Sequence, residues 1–389
     1  MTQSLHMTTL QLERSSQGVD PDLLRDLFSD TKLETPLMLL SRSEVGRNYT
    51  ALKNALPRVQ IHYAVKPNNH PLIIREVARK GGSFDVCSVG EIDTVLQTGL
   101  DPAGLIHSHP IKSRYEFDEA VARGVEIFVV DNPEEVRKLS RYNHKKLKVL
   151  IRFRIASNNH AVINLQYKFG CTVNDVLPLA SLIEREGHEF HGLCFHLGSQ
   201  CIYPENYKKA IKSAHRLINA LDMAGFNTRV LDIGGGFPVR YVEPVPSIDE
   251  FCNPIAKALD RNIRPGIKVV SEPGRFIAAT TVTLISSVIG KSLRDGKIWY
   301  YLDDGLYSTF SGIVYDKCQY PVVTEKEGNK HLSVLAGPTC DSFDVIYDGL
   351  MIPEHNIGDR IMFMSTGAYC AVSASGFNVL RQASYRDVE

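Results

Sequence analysis

Ile61-His62-Tyr63-Ala64-Val65-Lys66-Pro67-Asn68 reads as a short apolar strand that breaks off at a lysine and a proline. A helical stretch, His70–Lys80, follows and stops at Gly81-Gly82, and a second apolar strand, Phe84–Ser88, comes next. Strand, helix, glycine and strand again make one βα unit. Working outward, six more strands follow at Leu105–Ser108, Ile127–Val130, Val149–Ile155, Gly192–Leu197, Val230–Ile233 and Val269–Glu272. Their starts fall about 22 residues apart for the first five strands and about 40 apart afterwards. The intervening helices Val89–Thr98, Tyr115–Arg123 and Glu205–Ala224 end at Gly99, Gly124 and Gly225, and Ser247-Ile248-Asp249-Glu250 opens another as a capping box. Eight βα units with near-continuous apolar strands predict a closed (β/α)8 barrel. A doubly wound sheet is the competing architecture and usually has fewer units.

Beyond residue 275 the period shifts toward two and helical stretches nearly vanish. Thr280–Gly290 and Lys297–Leu302 flank Asp295-Gly296, a hairpin dipeptide, and Leu332–Leu335, Arg360–Met364 and Tyr369–Ser373 read as further strands. The expected organisation is a barrel over 42–274 and a β-domain over 275–389. The strand-like Pro36–Leu40 has no barrel role, so segment 1–41 is expected to return and pack on the β-domain.

The 389 residues carry 44 basic and 44 acidic side chains, without a block of like charge, so the footprint of a nucleic-acid binder is missing. No apolar run is long enough to span a membrane, and the polar Met1–Asp20 lacks the centre of a secretory signal. A cytosolic protein is expected, with neither nucleic acid nor membrane as partner. Eight cysteines without a C-x-x-C pair indicate neither a metal site nor a disulfide framework.

In such barrels the chemistry gathers at the C-terminal ends of the strands. Lys66, Asp85, His109, Arg154, His196, Gly234-Gly235-Gly236 and Glu272-Pro273-Gly274-Arg275 all fall at or just beyond those ends. Three successive glycines leave backbone N–H groups bare for an anion, and the loops after strands seven and eight are the usual phosphate site of this fold. A tight βα turn is the plainer reading, and Lys66 taken alone could be a solvated strand end. A lysine and a phosphate cradle at one mouth point to a Schiff-base lysine holding pyridoxal phosphate. Glu272 would then pair with the ring nitrogen and keep it protonated, unless it is a surface carboxylate at a domain junction. His196 could stack on the ring or be structural, and Asp85 with Arg154 could form an ion pair.

Seven ordered segments carry a resemblance: Tyr63-Ala64-Val65-Lys66-Pro67-Asn68, Phe84-Asp85-Val86-Cys87-Ser88, His196-Leu197-Gly198-Ser199, Asp232-Ile233-Gly234-Gly235-Gly236-Phe237, Glu272-Pro273-Gly274-Arg275, Gly337-Pro338-Thr339-Cys340-Asp341 and Gly367-Ala368-Tyr369. From about residue 35 onward the chain resembles the fold-type III pyridoxal-phosphate decarboxylases, in particular the ornithine/lysine branch. The resemblance implies an alanine-racemase-like barrel with a C-terminal β-sandwich or barrel domain. It implies that Lys66 is the Schiff-base lysine, that His196 stacks on the ring and that Glu272 faces its nitrogen. Ser199, Gly235, Gly236, Gly274, Arg275 and Tyr369 would hold the phosphate, with Asp85 and Arg154 shaping the pocket behind Lys66. It further implies a head-to-tail homodimer in which Cys340 and Asp341 reach the partner's barrel. There Cys340, or a water it positions, would protonate the α-carbon. The plainer reading of Cys340 is a buried structural thiol.

For the substrate, Tyr307, Tyr315, Asp316 and Asp341 match positions that meet the far end of the side chain. Two carboxylates there favour a distal ammonium and disfavour diaminopimelate, whose side chain ends in a carboxylate as well as an amine. Ornithine and lysine differ by one methylene, worth about 1–3 kcal/mol in a fitted pocket, so the sequence leaves that choice open. Arginine, diaminobutyrate and a larger amino-acid conjugate remain open too, and Ser157–Tyr167 is a candidate depth-setting wall. The chain stops soon after Phe377-Asn378, which favours a microbial-type enzyme. A racemase, a non-catalytic decarboxylase-like protein and an unrelated aldolase are the alternatives. Racemases of this fold place arginine where Glu272 stands, and a non-catalytic relative should have lost Lys66 or the glycines.

Overall fold

The computed structural model describes residues 6–8, 23, 26–28, 30, 32–155 and 167–389. It divides into two compact units, one of residues 48–238 and 245–276 and the other of the remaining described residues.

The first unit is a closed barrel of eight parallel strands: Val59–Ala64, Ser83–Val86, Ile106–His107, Ile127–Val130, Lys148–Arg152, Glu189–Cys194, Val230–Asp232 and Lys268–Ser271. Each pairs with its sequence neighbours, and the eighth closes on the first through Val269–Val59 and Ser271–Ile61. The expected helices form between them, at Pro71–Arg79, Val89–Leu96, Arg114–Ala122 and Pro204–Met223, and Ser247 and Glu250 make the anticipated capping box. Gly81, Gly99, Gly124 and Gly225 end their helices with φ between 78 and 90°, a conformation that glycine adopts without a Cβ clash. Helices Pro133–Leu139 and Val176–Arg185 complete the outer layer.

Ile106, Val129, Leu150, Cys194, Val230 and Val270 form a cluster inside the barrel. Truncating Leu150, wholly buried there, to alanine removes contacts worth about 2–5 kcal/mol. Paired residues on parallel strands share a face, so the pairings Asp85–Ile106, Arg152–Cys194 and Cys194–Asp232 turn Asp85, Arg152 and Asp232 inward as well. The period of two carries His196 and Glu272 to the same face, above Cys194 and Val270.

The second unit is a mixed nine-stranded sheet. Val282–Arg294 and Lys297–Leu302 form the expected hairpin, with Asp295 and Gly296 at φ 49 and 74°, the twist of a tight I′ turn. Leu37–Leu40 pairs antiparallel with Val282–Ile285 and parallel with Ser384–Asp387, so this N-terminal stretch is built into the sheet. Leu37, Leu39, Ile285, Val323, Met362 and Met364 bury their side chains in one cluster with Leu27 and Leu33.

One expected strand is absent. Tyr369 takes a left-handed conformation, φ 57°, and Ala371–Ser373 is a single 3-10 turn. The Ser373 hydroxyl donates to the Tyr369 carbonyl at 3.0 Å and the Cys370 carbonyl at 3.2 Å, closing the chain on itself where alternation suggested an extended run. Conversely, Val345–Pro353 is a long strand that the sequence reading omitted, hidden by Asp348-Gly349 in its centre.

Candidate active site

The mouth of the barrel gathers a lysine and several carboxyls. Lys66 leaves the first strand two residues beyond Ala64, and its Nζ donates to Asp85 Oδ2 at 2.8 Å. Asp85 is wholly buried, and its other oxygen meets no donor among the described residues. Cys87 Sγ lies 3.9 Å from the same Nζ, and burial pushes its thiol up to about 12. Glu91 accepts the Cys87 N–H at 2.7 Å, and burial raises its carboxyl to about 7.

Across the mouth, Asp232 and Glu272 form a buried carboxyl pair. Burial raises Glu272 well above the usual range, and the Asp232 and Asp85 charges add to this. Asp232 is raised by burial to about 6, against a hydrogen bond with Glu272 and the Gly234 N–H at 2.7 Å that both favour its ionised form. Glu272 thus carries the shared proton until a cation arrives beside it. His196 is held neutral by burial and by the Arg152 and Lys66 charges. Its Nδ1 accepts the Gly198 N–H at 3.0 Å, which leaves the proton on Nε2.

The three glycines are required by close approach. A Cβ on Gly234 would stand 2.4 Å from the Phe195 carbonyl oxygen, one on Gly235 2.3 Å from that of Glu272, and one on Gly236 2.0 Å from that of Gly198. Gly236 also has φ 103°. A Cβ on Gly274 would meet Pro67 Cγ at 2.4 Å, so this glycine lets the eighth strand's loop close on the segment that carries Lys66. Arg275 is buried and its Nε donates to Ser199 Oγ at 3.1 Å, which places a cation and a hydroxyl side by side.

Other expected residues sit elsewhere. Arg154 is exposed, and its backbone N–H donates to the Cys171 carbonyl at 2.9 Å; the partner of Asp85 is Lys66. Arg152, one turn of the pleat below, is the arginine whose charge acts on His196. Alternation puts both arginines on one face, so the sequence alone could not separate them. Asp232 belongs to the glycine motif, and its pairing with Cys194 is what turns its carboxyl inward.

Cys340, Asp341, Tyr307, Tyr315, Asp316 and Tyr369 belong to the sheet unit. Cys340 is exposed, unlike six of the eight cysteines, which are buried. Asp341 accepts the Phe343 N–H at 3.0 Å and the Tyr307 hydroxyl, both of which hold its carboxyl below the usual range. Tyr307 also stacks on Phe377 at 4.5 Å. Asp316 ends the helix Ser311–Asp316 beside the exposed Tyr315, so the group that hydrogen-bonds Asp341 is Tyr307. Of the expected wall Ser157–Tyr167, residues 157–166 lie outside the described residues.

A glycine cradle bordered by an arginine and a serine fits a phosphate. A lysine beside a half-satisfied aspartate fits an aldehyde carbon, and a carboxyl pair short of a cation fits a protonated ring nitrogen. These features, on a closed parallel barrel, define the class of pyridoxal-phosphate enzymes. Residues 42–279 match the family described as pyridoxal-dependent decarboxylase, pyridoxal binding domain, and the chain belongs to that family. It is 36% identical over 348 residues to the lysine/ornithine decarboxylase of Selenomonas ruminantium, covering 89% of this chain and 88% of that one. The lysine/ornithine decarboxylase of Vibrio vulnificus, solved with putrescine, superposes with a TM-score of 0.88 at 38% identity, covering 95% and 98% of the two chains. The arginine decarboxylase of Paramecium bursaria Chlorella virus superposes at 0.89 with 30% identity, over 94% and 100%. The protein is accordingly a pyridoxal-phosphate-dependent decarboxylase.

Proposed function

We propose that the protein decarboxylates ornithine, lysine or both, giving putrescine or cadaverine and carbon dioxide. The observation that carries the chemistry is the buried Glu272–Asp232 pair, which can hold a cationic ring nitrogen and keep it protonated. Pyridoxal phosphate, when bound, supplies a ring that accepts the electron pair left at the α-carbon as carbon dioxide departs.

The chain's own residues do the rest. Lys66 Nζ would hold the cofactor's aldehyde carbon, and Asp85, 2.8 Å away, orients that amine. His196, neutral and buried, would stack on the ring face without repelling its charge. The glycines 235, 236 and 274 with Ser199 and Arg275 would take the phosphate, and Arg152 supplies the positive charge that acts on His196. Cys340 delivers a proton to the α-carbon, and Asp341 meets the distal ammonium with Tyr307, Tyr315 and Asp316 around it. Cys340 and Asp341 act on a partner's barrel in a homodimer, a reading supported by the exposure of Cys340. The thiol must stay reduced, which fits a cytoplasmic enzyme; among the described residues no helix is long and apolar enough to cross a membrane. The domain division at 42–274 and 275–389, with Leu37–Leu40 in the sheet of the β-domain, belongs to the same reading.

The substrate assignment rests on Asp341, whose ionised form suits an ammonium, and on the likeness to the two bacterial lysine/ornithine enzymes. The test is carbon dioxide release, with the amine product identified by mass spectrometry, across ornithine, lysine, arginine, diaminobutyrate and meso-diaminopimelate. Putrescine or cadaverine as the dominant product is expected. A dominant product from diaminopimelate would overturn the assignment.

A further inference from the structure

The loop that carries Tyr307 and the loop that carries Cys340 and Asp341 are joined by one side chain. Asp344 is buried, at 3% exposure, and its Oδ1 accepts the Leu306 N–H at 2.7 Å. Its Oδ2 accepts the Thr339 hydroxyl at 2.7 Å and the Thr339 N–H at 3.2 Å. The backbone of the same residue closes the second loop, since its carbonyl accepts the Gly337 N–H at 2.8 Å and its N–H donates to the Asp341 carbonyl at 3.1 Å. The fit is tight, because a Cβ on Gly305 would stand 2.4 Å from the carboxylate and one on Gly337 2.3 Å.

A second buried carboxylate shapes the first loop from inside. Asp304 accepts the N–H groups of Gly305 and Thr309 at 2.7 and 3.0 Å and the Thr309 hydroxyl at 2.6 Å. Both acids thus spend their oxygens on backbone N–H groups and threonine hydroxyls on either side of Tyr307. An amide in place of either offers one acceptor oxygen and turns an N–H₂ toward a donor. Two loops fixed this way bring the Tyr307 hydroxyl onto Asp341, the contact that sets the direction of the Asp341 carboxylate.

We propose that Asp344, with Asp304, is a positioning residue for recognition of the substrate's distal ammonium: it fixes the Tyr307–Asp341 pair at the place where that group is met. This rests on the role given to Asp341 above. The test uses the cofactor-loaded enzyme and its Asp344→Asn, Asp304→Asn and Asp341→Ala variants, with putrescine and n-butylamine as competing inhibitors. The two amines differ in the distal ammonium. In Asp344→Asn the preference for putrescine over butylamine should fall about tenfold, the equivalent of one charge-assisted hydrogen bond, with butylamine inhibition unchanged. The cofactor's visible band should also be unchanged. Asp304→Asn should act in the same sense and serves alone if the other variant fails to fold. Equal weakening of both amines, or an unchanged preference in both asparagine variants while Asp341→Ala loses it, would overturn the inference. An unchanged preference in Asp341→Ala would instead overturn the role of Asp341 itself.

Discussion

Replacing Glu272 with glutamine keeps the shape of the side chain and removes its charge. Glu272 is buried beside Asp232, and with a protonated ring nitrogen in place its carboxylate makes a charge-assisted hydrogen bond in a site shielded from water. Losing such a bond costs about 1.5–3 kcal/mol. Because the ring must hold an extra electron pair only as carbon dioxide leaves, the loss falls on the transition state and should lower kcat by roughly ten- to 150-fold. KM should change little, since the substrate's distal ammonium is met by Asp341 and not by Glu272. Asp232→Asn should follow in the same direction by about tenfold, acting through Glu272. The assay is the initial rate of carbon dioxide release at saturating substrate, with cofactor occupancy checked by absorbance. A fully loaded Glu272→Gln enzyme with kcat within threefold of wild type would refute the reasoning.

Further outcomes follow from the same geometry. Gly236→Ala sets a Cβ 2.0 Å from the Gly198 carbonyl at φ 103° and should abolish cofactor retention on gel filtration; retention equal to wild type would contradict the cradle. Asp232 sits near 6 in the cofactor-free chain against an ordinary 3.8, so the folded state binds more protons between about pH 4 and 6. Stability should therefore fall by up to ~3 kcal/mol as pH rises through that window. Thermal melts of the cofactor-free protein should show this slope and Asp232→Asn should lessen it, the remainder coming from Glu272; equal slopes would dismiss Asp232 as a source. Mixing inactive Lys66→Ala with inactive Cys340→Ala should restore about a quarter of wild-type activity, since half the exchanged dimers carry one intact site. No recovery after proven subunit exchange would exclude a shared site.

The barrel was legible because its information is periodic. Apolar strands, glycine stops and the Ser247–Glu250 box are local signals, and the structure places strands and helices within a few residues of them. Polar residues at strand ends were readable for the same reason, since topology alone sends them to one mouth. What escaped depends on partners distant in sequence. The Asp232–Glu272 proton, the choice between Arg152 and Arg154, and the clamp of Asp344 on Gly305 and Gly337 each join residues far apart in the chain or indistinguishable by alternation. Tyr369–Ser373 misled because alternation persists there while the Ser373 hydroxyl bends the chain into a turn.

The central claim is that one lysine, Lys66, holds the cofactor opposite the glycine cradle. Reduction of the loaded enzyme with borohydride, followed by proteolysis and mass spectrometry, reads that lysine directly. The account requires a single pyridoxyl group on the peptide containing Lys66, and none in the Lys66→Ala variant. A pyridoxyl group on any other lysine of the wild-type enzyme would contradict it.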